Sequence, residues 1–270
     1  MKTLALAALA ALAAFAPGGA FAGVDLLPHR AAYRLTLQDG EGRSRLSDVR
    51  GGIVMELRDS CEGWISRQQL AFVADLDEGG QVSYDVRFSG WEADDRRAMR
   101  FLTRSFDDGK EGTTYQGQAS LGGEEEGSGG NGAGEAVFSK PDRLTVALPA
   151  DTIFPNEHMR RLIEHARAGA FVFSSKVFDG TGPDALNTIT AVIGRSEAAA
   201  GTEPAYGATT WPVSLAYYAA DGGDDLPSFE ISFDMTDRGV LSNLKLNYGD
   251  FTLKGTLEKV EPFEKAANCG

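Results

Sequence analysis

The histidines and cysteines are the scarcest reactive residues in this 270-residue chain, three and two in number, and two of the histidines have a suggestive spacing. His158 and His165 are seven residues apart, close to two helical turns, so on a helix they share a face and bracket Leu162. Two imidazoles on one face could begin a Zn²⁺ site or supply the general base of a hydrolase. The neighbouring sequence completes neither chemistry. No third ligand is evident nearby, Arg161 projects beside the pair, and both lie at the edge of an apolar stripe. The expectation is a boundary pair that hydrogen-bonds to adjacent strands or loops. His29, beside Arg30, is expected to orient or cap rather than catalyse.

Other catalytic constellations are missing from the sequence. A serine hydrolase needs a nucleophile on a tight turn with a base and an acid, and no G-x-S-x-G occurs. The run Gly127-Ser128-Gly129-Gly130-Asn131-Gly132 is glycine-rich but follows three glutamates, so it would repel a phosphate. The acid pairs Asp94-Asp95, Asp107-Asp108 and Asp224-Asp225 fall in turns, where turn chemistry accounts for them. The chain is read as a non-enzyme with no cofactor and no metal.

The cysteines, Cys61 and Cys269, stand 208 residues apart and follow a start that has the form of an export signal. Lys2 gives the positive region, Leu4 to Ala16 an uncharged apolar run, and Ala20-Phe21-Ala22 a cleavage pattern, so residues 1–22 are read as a signal peptide cut after Ala22. The apolar run is short for a bilayer span, and no other long apolar stretch follows. A periplasmic chain is expected, without stable membrane insertion, and in that oxidising setting a lone cysteine pair reads as one disulfide. Without the leader, 25 basic residues face 39 acidic ones, a surface that repels nucleic acid and anionic lipid headgroups.

Trp64, Trp91, Trp211, Tyr217 and Tyr218 are candidates to line an interaction or ligand surface, although sheet-core and cross-strand packing is the preferred reading of aromatic strands. Tyr217 and Tyr218, consecutive in a strand, must point to opposite faces.

What positions these residues is a succession of alternating apolar and polar segments between Gly, Asp and Asn clusters. The pattern predicts about fourteen antiparallel strands, from 31–37 to 250–260, in an all-β fold. One helix is expected over 155–168. It starts at Pro155, stops at Gly169, and carries Met159, Leu162, Ile163 and Ala166 on its apolar stripe, so that it packs on a sheet or plugs its open end. Residues 122–134, rich in Gly and Glu, read as a mobile surface loop within a single domain over 23–270.

Four stretches in order, His29-Arg30-Ala31-Ala32-Tyr33, Cys61-Glu62-Gly63-Trp64, Phe154-Pro155-Asn156-Glu157-His158 and Phe178-Asp179-Gly180, together with the final cysteine, give the mature chain a specific likeness. It resembles the EipB-like cell-envelope-integrity family of alphaproteobacterial periplasmic proteins. The resemblance implies a broken or spiral β-barrel of about fourteen strands and a disulfide carried here by Cys61 and Cys269. It also implies a non-catalytic role in the Gram-negative envelope through a periplasmic protein partner, with tetratricopeptide-repeat proteins as associates. The alternative is a carrier or sensor that holds a lipid or peptidoglycan fragment in the curved sheet. A hollow, apolar interior would favour this second function and a packed one would exclude it.

Overall fold

The computed structural model describes residues 23–38, 45–122, 133–199, 206–220 and 226–266. The expected signal peptide, most of the 122–134 loop and Cys269 lie outside them; Gly134, the last residue assigned to that loop, already opens a strand.

The first half of the chain is a meander of β1 (His29–Gln38), β2 (Leu46–Ser60), β3 (Gly63–Leu76), β4 (Gln81–Ala93), β5 (Ala98–Asp107), β6 (Lys110–Ser120), β7 (Gly134–Lys140) and β8 (Leu144–Leu148). A two-residue β9 (Thr152–Ile153) leads into α1 (Pro155–Arg167). The second half is β10 (Val172–Phe178), β11 (Leu186–Ile193), β12 (Glu197–Ala198), β13 (Thr209–Ala219), β14 (Phe229–Thr236), β15 (Leu241–Asn247) and β16 (Thr252–Pro262). All of them join one sheet in the order β8 to β1, then β16 to β13, β11, β10 and β9, with β12 on the edge of β13. β1 pairs β16 along its whole length, so the two meanders join through the two ends of the described chain.

Each of the fourteen strands expected from alternation is present. The two additional ones, β9 and β12, are too short to carry a periodic signal. One pairing departs from the antiparallel expectation: β9 runs parallel to β10, because α1 carries the chain back across the barrel before β10 begins.

Side-chain alternation sorts the sheet into an inner and an outer face. Along β3, Leu70, Phe72 and Ala74 face the interior, while Ile65, Ala71 and Val73 line shallow grooves on the outside. The main core gathers the inner residues of β1, β2, β10, β11 and β13 to β16 around Leu162, Ile163 and Ala166 of α1. A second core of Met99, Phe101, Ala119, Phe138, Phe154 and Phe178 joins β5 to β8 with the end of β10. Its rings meet edge to face, Phe101 with Phe138 at 5.1 Å and with Phe178 at 5.6 Å. Thr103 Oγ1 also donates to Gly180 O at 3.2 Å. The spiral therefore closes here through side chains rather than through a strand ladder. Gly180 has φ +75°, and a Cβ there would lie 2.6 Å from Phe101 Cγ, so both backbone and space require glycine.

α1 lies across one end of the barrel. Asn156 accepts a hydrogen bond from Ser66 Oγ of β3 at 3.3 Å, Arg160 lies over the Trp64 ring at 5.3 Å, and Arg167 donates to Asp237 O in the β14–β15 turn. Its C-terminus is closed by a Schellman pair: Ala170 N–H donates to His165 O and Gly169 N–H to Ala166 O, with Gly169 at φ +75°. Among the described residues no helix is long and apolar enough to cross a membrane.

Candidate functional site

The interior of the barrel is hollow: a cavity of about 940 Å³ runs from the N-terminal turn of α1 to the opposite end of the strands. The middle of its wall is aliphatic and aromatic, with Met55 and Leu57 from β2, Leu70 from β3, and Val86 and Phe88 from β4. These belong to the inward rows that the alternating sequence specifies.

At the end away from α1 the strand termini bring aromatic rings together. Phe72 and Tyr84 face each other across β3 and β4 with centroids 5.7 Å apart. On the other side Tyr217, Phe229, Tyr248 and Phe251 follow one another at 5.4, 5.0 and 5.0 Å. Tyr84 and Tyr248 are 37% and 39% exposed and form the mouth. Burial pushes the Tyr248 hydroxyl up to about 12, with Tyr84 adding to the shift, and burial also raises Tyr217, beside Asp179.

At the closed end the wall is polar. Asn156, Glu157 and His158, the first turn of α1 after Pro155, are only 8%, 4% and 6% exposed. Phe154 provides no side-chain cap, and its place is taken from another strand: Asn156 N–H donates to the Glu92 carboxylate of β4 at 3.0 and 3.1 Å. Burial raises the Glu92 carboxyl to about 8 despite those donors and nearby Arg160. Glu157 is held by Arg96 at 3.1 Å and by Arg161, one turn on, at 2.7 Å. His29 bonds Leu27 O at 2.7 Å, and burial lowers its pKa.

The two helix histidines share a face, as their spacing requires, but they do not hydrogen-bond to strands as expected. Both stack on Phe173 of β10, His165 at 4.3 Å and His158 at 5.8 Å between centroids. His158 Nε2 is buried without a hydrogen-bond partner among the described residues, and burial with Arg161 nearby lowers its pKa to about 4. The correction has a simple cause: an aromatic ring, not a polar group, occupies the facing position on β10. Among the described residues no cluster of three His, Cys, Asp or Glu side chains is arranged to hold a metal.

The five aromatic candidates do not share one surface. Trp64 lies buried under Arg160, Trp211 belongs to the main core, and Trp91 points outward with Arg100 4.9 Å above it. Only Tyr217 lines the cavity, and Tyr218, its neighbour in β13, takes the opposite face. The residues that sequence reasoning missed are Glu92 and the aromatic mouth. Cys61, exposed in the β2–β3 turn, is not a free thiol; Cys269 lies outside the described residues.

Comparison with known proteins follows the same lines. The family model described as EipB-like matches residues 20–264. The cell envelope integrity protein EipB of Brucella abortus (strain 2308) is 30% identical over 283 residues, covering 99% of this chain and 98% of the relative. A crystal structure of a beta-barrel-like protein of domain of unknown function DUF1849 from Brucella abortus, also 30% identical, superposes with a TM-score of 0.79 and covers 89% of this chain and 100% of that one.

Proposed function

The chain belongs to the EipB-like family, and on that premise we propose that it supports cell envelope integrity without catalysis, by holding an apolar envelope molecule inside its barrel. The observation that carries this reading is the cavity of about 940 Å³, whose size falls in the range of small-molecule sites and whose wall is mainly apolar. Sequence alone puts a protein partner first. The hollow interior moves the weight to a carrier or sensor of a lipid or cell-wall fragment.

The setting is the periplasm, reached through cleavage after Ala22, with Cys61 and Cys269 joined. Two contacts support that disulfide: Arg58 stacks on Phe263 at 3.6 Å, and Ala266 N–H donates to Asp59 at 3.2 Å. The tail thus reaches the β2–β3 turn three residues before Cys269. A partner protein remains a second reading. The motivating feature is β8, which ends the sheet path and presents half-exposed Leu144, an edge suited to an added strand.

The test is native mass spectrometry of the protein purified from periplasm. A retained species of several hundred daltons that is lost on denaturation supports the carrier. A bare chain that also fails to take up an uncharged apolar dye rejects it, and reproducible cross-linking of β8 to one periplasmic protein would then favour the partner.

A further inference from the structure

The cavity's ionisable side chains are almost all of one sign. Its wall includes Glu56, Glu92, Asp107, Asp108 and Asp179 and, among the described residues, no lysine or arginine. Glu56 is neutralised by Arg30 and Arg58. Asp107, Asp108 and Asp179 form no ion pair among the described residues; Asp108 accepts from Ser83 N–H at 2.8 Å, and Asp179 from Thr181 Oγ1 at 2.7 Å. All three stand at the aromatic mouth. Asp107 pairs with Tyr84 in the β4–β5 register, and Asp179 lies near enough to Tyr217 to act on its hydroxyl. Glu92 occupies the far end.

We infer that the cavity takes a single-chain amphiphile, an acyl or isoprenoid chain bearing an uncharged or amine head group, with the chain along Leu70, Val86 and Phe88 and the head among Tyr84, Tyr248 and the mouth aspartates. The assignment rests on the barrel being a ligand holder. The eight steps of β4 from Tyr84 to Glu92 span about 26 Å, long enough for an extended chain, and the wall between them is apolar. Tyrosines at the mouth present a ring to the chain and a hydroxyl to the head. An anionic head is disfavoured in either orientation: at the mouth it meets the exposed carboxylates of Asp107 and Asp108, and at the deep end it enters the dry surroundings that already suppress the charge of Glu92.

The experiment uses the full mature chain with N-phenyl-1-naphthylamine as an uncharged reporter. The competitors are monoacylglycerols, alkylamines and fatty acids of matched length, each below its micelle concentration. The reporter is expected to bind. Monoacylglycerols and amines should displace it with affinity rising up to about fourfold per added methylene, and the fatty acids should be at least tenfold weaker. The double substitution Asp107→Asn and Asp108→Asn, at exposed positions, should narrow that gap. Leu70→Trp, which fills the interior, should abolish reporter binding, whereas Val73→Trp on the outer face should leave it unchanged. If Leu70→Trp fails to fold, the length series and the aspartate variant decide the matter. Fatty acids binding as tightly as monoacylglycerols, or affinity independent of chain length, overturn the head-group and chain assignment while leaving the barrel a ligand holder. No binding of reporter or any amphiphile by folded protein overturns both.

Discussion

Asn156 N–H, at the start of α1, donates to both oxygens of Glu92 on β4, at 3.1 and 3.0 Å, so the helix that closes the barrel is capped by a residue 64 positions earlier in the chain. The contact fixes the helix to the sheet and also makes their union depend on protonation.

The first prediction concerns that dependence. Glu92 has a native pKa of about 8, against 4.5 for an ordinary glutamate, so between those values the folded protein holds a proton that the unfolded chain releases. The contribution of Glu92 to stability is full below about pH 4.5 and is lost as pH rises through 8, by on the order of a few kcal/mol. Urea midpoints from pH 5 to 9 should fall in the wild type relative to Glu92→Gln, which imitates the protonated acid. Parallel curves for the two proteins would remove Glu92 as the cause. Glu92→Ala should cost about 1–3 kcal/mol at pH 5, because it strands the helix donors, and that cost should shrink as pH rises through 8 and the wild type loses the contribution of Glu92.

His158 acts in the opposite sense. Its native pKa of about 4 lies below the ordinary 6.5, lowered by burial and then by Arg161, so its contribution is complete above 6.5 and is lost as pH falls toward 4. His158→Phe keeps a ring against Phe173 and removes the titration. The variant should lose less stability than the wild type between pH 6.5 and 4. An unchanged acid limb would mean that the stacked ring already titrates normally.

These effects show why the strands were legible in the sequence and the site was not. Alternation is local, so all fourteen longer strands could be read, whereas β9 and β12, at two residues, offered no period. The helix ends were equally local, set by Pro155 and Gly169. Nothing adjacent to Glu92 in sequence distinguishes this inward acid from the acids of the outer face, because its partner lies 64 residues away. The cavity was hidden for a related reason: the inner row of β3, Ser66, Gln68, Leu70, Phe72 and Ala74, would look the same facing a packed core or a hollow one. The histidine pair was placed on the correct face, but its stacking partner Phe173 could be known only once β10 was docked on α1.

Two glycines separate backbone strain from crowding. A Cβ on Gly169 meets nothing within 4 Å, so Gly169→Ala carries only the penalty of its positive φ, about 1 kcal/mol. At Gly180 the same φ coincides with Phe101 at 2.6 Å, and Gly180→Ala must also displace the ring that joins β5 to β10. Chemical denaturation should therefore rank Gly180→Ala as clearly more damaging. Equal losses would show that the Phe101 cluster yields freely.

Leu162 tests how firmly the helix closes the barrel. It is 0% exposed on the face of α1 that enters the main core. Leu162→Ala should cost about 2–5 kcal/mol, the range for truncating a buried leucine, with the upper part expected if the neighbouring strands cannot collapse into the space. A loss below 1 kcal/mol would mean that α1 contributes little to the fold and is free to leave the barrel end.

The disulfide prediction closes the chain from the other side. The Phe263 ring under Arg58 and the Ala266 bond to Asp59 bring the tail to the turn that holds Cys61, and a bond from Cys61 to Cys269 would enclose 208 residues. Chain-entropy arithmetic gives about 5 kcal/mol as an upper figure for a loop of that size. Cys61→Ser, Cys269→Ser and the double variant should melt at one common, lower temperature, matched by reduced wild type, because each removes the same bond. Identical melting of oxidised and reduced wild type would break the pairing. Additive losses in the double variant would show that each cysteine acts by itself.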